Sequence, residues 1–332
     1  MSLFASTIGM IIPLRWPVTV LLALVALPLA RGLDSVFTPP SDEQCGLALG
    51  ATSQESEIFQ KFLIPDKDFP KIARPAPNDW LARHKEKGQS FMDYQLSHPN
   101  RPDAIRKVIY LQPLGEFPNG KSPPLGILRE YASIFFQMEV KVLPLYDFGA
   151  NEFSPRLNTF TRNLQINSMS VMVFLKKRLP EDAYCLIAIT MADLYPQESW
   201  NYVFGQASLR ERVGVYGFAR HDPKFFGANR PEPQNEFIRL LLRRGCRTLA
   251  HEISHMFGLR HCIYYKCLVN GSNHLRESDA QPQHPCPICL RKLHDAISFD
   301  PVKRYRALET FYQKQGMTEE ADWVSRQLAK VK

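Results

Sequence analysis

Within the stretch His251-Glu-Ile-Ser-His255-Met-Phe-Gly258-Leu-Arg-His261, three imidazoles and the carboxylate of Glu252 recur at a spacing that suits metal chemistry. A helix turns about 100° per residue, so His251 and His255 fall one turn apart on one face. Both then reach a single Zn²⁺, which takes imidazole nitrogen at about 2.0–2.1 Å. Glu252 projects between that pair and the helix flank, placed to work on a zinc-bound water without ligating the metal. Gly258 lets the backbone leave the helix in a left-handed conformation, and His261 returns as the third ligand. A bare H-E-x-x-H is a weak signal, whereas the added glycine and third histidine make this one specific. Cys246, Leu249, Ala250, Ile253 and Phe257 form an apolar stripe at helical spacing, with the two helical histidines on its far side. The pattern predicts a helix with one buried face and one face offering ligands. The competing reading is three histidines that merely pack or face solvent.

Cys262-x4-Cys267 and Cys286-Pro-Ile-Cys289 follow, two close pairs separated by a mostly polar loop. That is the usual arrangement of a closed tetrahedral zinc site with thiolate ligands. Two disulfides, or a redox dithiol at Cys286 and Cys289, are the other readings, although no βαβ pattern precedes the dithiol. Cys262 is the residue after His261, so a metal holding Cys262 also fixes where the third histidine sits. Cys45, Cys185 and Cys246 lie outside the cluster.

A histidine motif running straight into one cysteine pair and then a C-x-x-C resembles the archaemetzincins, a family of metzincin-type zinc peptidases. The likeness extends from Lys107 to Tyr312 and includes Lys107-Val-Ile-Tyr-Leu-Gln-Pro113, Met191-Ala-Asp-Leu-Tyr-Pro196 and Cys286-Pro-Ile-Cys-Leu-Arg-Lys292. The resemblance implies an α+β fold with a mixed twisted sheet, an active-site helix and a small zinc-stapled C-terminal subdomain. It implies a catalytic zinc on His251, His255 and His261 with Glu252 as general base. It also implies a structural zinc on Cys262, Cys267, Cys286 and Cys289, hence two Zn ions per chain. The expected activity is hydrolysis of peptide bonds in a peptide or protein substrate. The alternative is a zinc-stabilised binding protein on the same scaffold, with weak or absent turnover. One departure motivates that alternative: the family carries a methionine two residues after the second cysteine, beneath the catalytic metal, and here that position is Val269. Valine keeps the position apolar but is shorter and branched at Cβ, which predicts a looser floor and some lost stability. Serine hydrolase chemistry is disfavoured, since no G-x-S-x-G elbow occurs.

The chain has 332 residues, 45% of them hydrophobic, which is enough for a substantial core in one large domain or two subdomains. A net charge of +8 raises nucleic acid or acidic membranes as partners, but the basic residues are scattered. The exception, Arg239, Arg243, Arg244 and Arg247, reads as a solvated helix face, and no nucleic-acid partner is expected. At the amino terminus Arg15 precedes an apolar run from Val18 to Leu27 and then Pro28-Leu-Ala-Arg-Gly32, which resembles a secretory signal. The run is shorter than the ~20 residues a membrane span needs, so no stable transmembrane anchor is expected. Thiol zinc ligands favour a reducing compartment, and the reading is an intracellular protein (cytoplasm or nucleus), with export through the leader as the alternative.

The elements that must position these groups follow from the pattern. Residues 1–31 form the leader-like segment, 32–106 a peripheral, partly helical extension, and 107–332 the catalytic domain with its four-cysteine subdomain at 262–290. Lys107 to Leu111, Val140 to Leu145 and Ala183 to Met191 read as strands, and Leu125 to Phe136 and Asn158 to Leu175 as helices. Arg212 to Arg220 reads either as the sheet edge, where an extended peptide could pair, or as an inner strand. Arg291 to Thr310 and Glu319 to Lys330 read as helices.

Overall fold

The computed structural model describes residues 37–331, so the leader-like segment lies outside the described residues. The strands, in chain order, are β1 (Val108–Leu114), β2 (Glu139–Val142), β3 (Arg156–Leu157), β4 (Leu164–Asn167), β5 (Ala183–Thr190), β6 (Asp193–Tyr195), β7 (Gly205–Ala207) and β8 (Val213–Gly217). A mixed sheet has the order β2-β1-β5-β8-β7, and a smaller one the order β3-β4-β6. The larger sheet is parallel except for β7, which runs antiparallel to β8. Every residue of β1 and β5 is buried, as expected for parallel strands covered on both faces. The α+β architecture thus has the mixed sheet that the sequence predicts.

The helix Leu125–Phe136 has the predicted bounds and links β1 to β2. Two elements differ from expectation. Of the helix expected from Asn158, only Ser168–Lys176 is helical. Asn158 instead holds a turn, its Oδ1 accepting from the N–H groups of Phe160 and Thr161 at 2.9 Å each. Asn167 caps the shortened helix by accepting from the Ser170 N–H at 2.9 Å. Asparagine side chains compete with helical backbone bonds and favour such turns and caps. In the C-terminal region the helix expected over Arg291 to Thr310 is broken into Pro287–Ile297 and Pro301–Lys314. Ser298 adopts φ 59°, and Pro301, with no N–H to donate, starts the next helix behind its cap Asp300.

The segment 37–106 is built into the main core. Phe59, Phe62 and Tyr94 from this segment are fully buried. The strand Val213–Gly217 lies inside the sheet, and the free edge beside the long helix is β7.

That helix, Gln234–Met256, spans 23 residues. Its stripe of Cys246, Leu249, Ala250 and Ile253 is completely buried, together with Phe257 at the exit. Phe257 stacks between Phe136 and Tyr184, with ring centroids 5.5 and 4.3 Å away. Gly258 then turns the chain at φ 85°, where a Cβ would stand 2.7 Å from the Cβ of Pro99. Only glycine meets both conditions without strain. Among the described residues no helix is long and apolar enough to cross a membrane. Because Phe257 locks the helix end, Phe257→Ala is expected to lower unfolding free energy by about 3–5 kcal/mol, read as an earlier urea midpoint with an unchanged slope.

Candidate metal centre

His251 and His255 leave the exposed side of the long helix with their Nε2 atoms 3.0 Å apart. The chain turns at Gly258, and His261 brings its ring centroid to 4.9 Å from that of His255. One ligand atom from each of the three lies within 4.8 Å of the others. The opposite nitrogens explain how the rings hold this pose. His251 Nδ1–H donates to the Leu268 carbonyl at 2.9 Å and His255 Nδ1–H to the Leu259 carbonyl at 2.6 Å. His261 Nδ1–H donates to the Glu86 carboxylate at 2.8 Å. Each acceptor fixes the Nδ1–H tautomer, so the three Nε2 lone pairs converge. Unscreened lone pairs repel, whereas nitrogens around a tetrahedral Zn²⁺ sit roughly 3.3 Å apart. The donor set fits that ion. Burial pushes His255 down to about 3 and holds His251 well below the usual range, which keeps these two imidazoles neutral.

Glu252, the neighbour of His251, is 4% exposed and lines the same cleft. It has no hydrogen-bond or ion-pair partner among the described residues, and burial alone pushes its carboxyl up to about 8. Its oxygens are not among the ligand atoms that cluster. The carboxylate occupies room left by Gly205 on β7, where a Cβ would stand 2.7 Å from Glu252 Cδ. A buried carboxyl without a partner, aimed into a cleft, is a reactive arrangement and not a stabilising one.

Glu86 carries no signal in the sequence, because it lies 175 positions from the histidine it orients. It also accepts from Trp80 Nε1 at 2.9 Å. Burial would raise this carboxyl, but the hydrogen bonds from His261 and Trp80 outweigh it and hold the group below the usual range. The segment that delivers Glu86 is pinned by Glu277, whose oxygens accept from Trp80 N at 2.8 Å and Asn273 N at 2.7 Å. His274 donates from Nε2 to Asp79 at 3.1 Å and accepts the Glu277 N–H on Nδ1 at 3.1 Å. Asp79, His274 and Glu277 are thus joined in a hydrogen-bond network that holds the Trp80 segment in place.

Cys262, Cys267, Cys286 and Cys289 converge in the core, their Sγ atoms within 4.8 Å of one another. Cys262 and Cys286 Sγ stand 3.6 Å apart, well beyond a disulfide bond and close to the ~3.8 Å edge of a zinc tetrathiolate tetrahedron. Cys267 Sγ accepts from the Cys286 N–H at 3.2 Å and the Val269 N–H at 3.5 Å. Asn270 closes the turn, donating to the carbonyls of Cys262 and Tyr265 at 2.8 and 3.0 Å. Val269 is fully buried and its carbonyl accepts the Cys262 N–H at 2.9 Å. The two clusters share structure at both ends. Cys262 adjoins His261, and Leu268, inside the cysteine turn, supplies the acceptor for His251.

Both the histidines and Glu252 open onto a cleft of about 960 Å³ that is rimmed by Trp80, Trp200, Tyr202 and Phe204 and bordered by β7.

The chain is similar to known proteins over much of its length. The model of peptidase family M54 matches residues 168–295, a span that includes the histidines and all four clustered cysteines. Archaemetzincin-2 of Macaca fascicularis is 39% identical over 284 residues, covering 76% of this chain and 78% of that protein. Human archaemetzincin-1 is 32% identical over 259 residues, covering 71% of this chain and 52% of that protein. Among solved structures, archaemetzincin from Methanopyrus kandleri aligns with a TM-score of 0.44 at 24% identity, covering 60% of this chain and 99% of that one. A zinc-dependent peptidase from Methanocorpusculum labreanum aligns with a TM-score of 0.43 at 22% identity, covering 56% and 99%. The chain belongs to the archaemetzincin family of zinc metallopeptidases, peptidase family M54.

Proposed function

We propose that the chain hydrolyses peptide bonds at the base of the cleft, with His251, His255 and His261 holding a catalytic zinc and Glu252 as general base. The observation that carries this reading is the convergence of three Nε2 lone pairs beside a buried, unpartnered carboxylate. A zinc ion held by these histidines would supply a Lewis acid for the scissile carbonyl and would acidify the attacking water. Glu252, whose ionised form a cation on the neighbouring histidines would favour, would accept a proton from the attacking water and deliver it to the departing amine nitrogen. Gly205 keeps the space in which the carboxylate makes this transfer. Glu86 orients His261 by accepting its Nδ1–H. The free edge of β7 borders the cleft and offers backbone groups to an extended peptide.

In the same reading Cys262, Cys267, Cys286 and Cys289 hold a second, structural zinc, which anchors the turn from which Leu268 orients His251. Residues 262–290 then act as a metal-stapled subdomain of a catalytic body spanning 107–332. Four free, buried thiols in one cluster favour a reducing, intracellular compartment.

Elemental analysis of gently purified protein is expected to return two zinc ions per chain, and Cys286→Ser to retain at most one with a lower melting temperature. Glu86→Gln is expected to weaken the histidine-bound zinc by about 10–100-fold in chelator competition, leaving the cysteine-bound zinc in place. On a peptide library, Glu252→Gln is expected to lose about 10²–10⁴-fold in kcat with its zinc content unchanged. Equal, poor cleavage by zinc-loaded native and Glu252→Gln proteins would sink the hydrolase reading and leave a zinc-stabilised binding protein.

A further inference from the structure

The floor of the cleft carries a guanidinium that the fold satisfies only in part. Arg247 stands one turn before His251 on the same helix and lines the cleft with Thr248 and Ser278. Its side chain is 2% exposed. Nη2 donates to Ser278 Oγ at 2.6 Å, while Nη1 has no hydrogen-bond partner. Asp279 is the carboxylate within ion-pair distance, with Oδ1 at 3.6 Å. Both Asp279 oxygens are already engaged by Arg244, from Nε at 2.9 Å and Nη2 at 2.6 Å. Behind this pair, His221 is fully buried, and burial together with the two guanidiniums holds it neutral. Two guanidiniums therefore share one carboxylate, and a positive charge remains uncompensated beside the histidine cluster. Glu86, which also lines the cleft, is already bound to His261 and Trp80.

A desolvated cation with an unpaired N–H is costly, and substrate-binding clefts are where such a cost is retained. A guanidinium also matches the geometry of a carboxylate better than that of a neutral amide. We propose that Arg247 is a specificity residue of the cleft and takes a carboxylate of the bound peptide. The carboxylate comes either from an acidic side chain next to the scissile bond or from the peptide's own C-terminus. The inference rests on the peptidase reading of the cleft, and it assigns that cleft a preference for acidic peptides.

The test measures binding separately from turnover. Zinc-loaded Glu252→Gln protein is titrated with peptides that differ only in Glu against Gln at one scanned position, and with peptides ending in a free acid against an amide. At one position, or at the terminus, the acidic peptide is expected to bind about tenfold tighter or better, the scale of a charge-assisted hydrogen bond in a dry site. A Glu-over-Gln preference assigns the side chain as the source, and an acid-over-amide preference assigns the C-terminus. Adding Arg247→Gln is expected to erase the preference in protein that keeps its zinc and circular dichroism spectrum. Arg247→Lys, which retains the charge but loses the fork, is expected to retain part of it, and serves where the glutamine variant does not fold. Binding of all acidic and neutral pairs within about twofold of each other, or a preference that survives folded Arg247→Gln, overturns the proposal. Failure of the native protein to cleave any peptide, with the acidic preference intact, sinks hydrolysis and leaves the carboxylate subsite standing.

Discussion

Three imidazole lone pairs aimed at one point are an unfavourable arrangement in a folded chain unless something holds each ring in place. Here the Nδ1–H of every ring is tied to a fixed acceptor, and these bonds set the direction of the opposite nitrogen. The three acceptors have different origins. Leu259 lies in the loop that leaves the helix, Leu268 in the cysteine turn, and Glu86 in the segment before β1. The geometry of the histidine cluster is therefore a property of the whole domain, although the histidines themselves lie within one short stretch of chain. Loss of any one acceptor frees a ring to rotate, and the three nitrogens no longer converge on one point.

The end of the long helix is held with similar care. Helix termini leave carbonyls without intrahelical partners. Tyr184 donates its hydroxyl to the Met256 carbonyl at 3.1 Å and Tyr94 to the Phe257 carbonyl at 2.9 Å. Gln89 donates to the Gly258 carbonyl at 3.2 Å and accepts the Arg260 N–H at 3.1 Å. Residues from 89 to 99 thus clasp the loop between the second and third histidines. This explains why the early segment is buried against the body, with Tyr94 completely inaccessible.

Upstream on the same helix, charge is buried where solvent would ordinarily be expected. Arg239, Arg243, Arg244 and Arg247 suggest a solvated face by composition alone, yet Arg244 is 7% and Arg247 2% exposed. Arg243 reaches Glu320 of the C-terminal helix, and Arg244 forms a two-pronged pair with Asp279. The segment between the two cysteine pairs and the C-terminal helix cover this face. Buried guanidiniums persist where carboxylates lie in fixed positions to receive them. Here Asp279 is shared between Arg244 and Arg247.

Local sequence was sufficient where the interaction is local. The one-turn spacing of His251 and His255, the left-handed turn at Gly258, the apolar stripe ending in Phe257 and the bounds of the helix Leu125–Phe136 all follow from backbone periodicity and glycine stereochemistry. Periodicity overreached at Asn158 and Pro301, where side-chain hydrogen bonding and a missing N–H ended helices that the apolar pattern would have continued. Glu86, Gly205 and the burial of Arg247 had no counterpart in any short window, since each depends on a partner from a distant part of the chain. The sequence by itself determined which groups can ligate and which acid stands beside them. Tertiary structure alone decided which nitrogen of each histidine is free, which strand forms the sheet edge and where two guanidiniums share one carboxylate. Those outcomes rest on hydrogen bonds and burial between remote segments, which spacing along the chain does not encode.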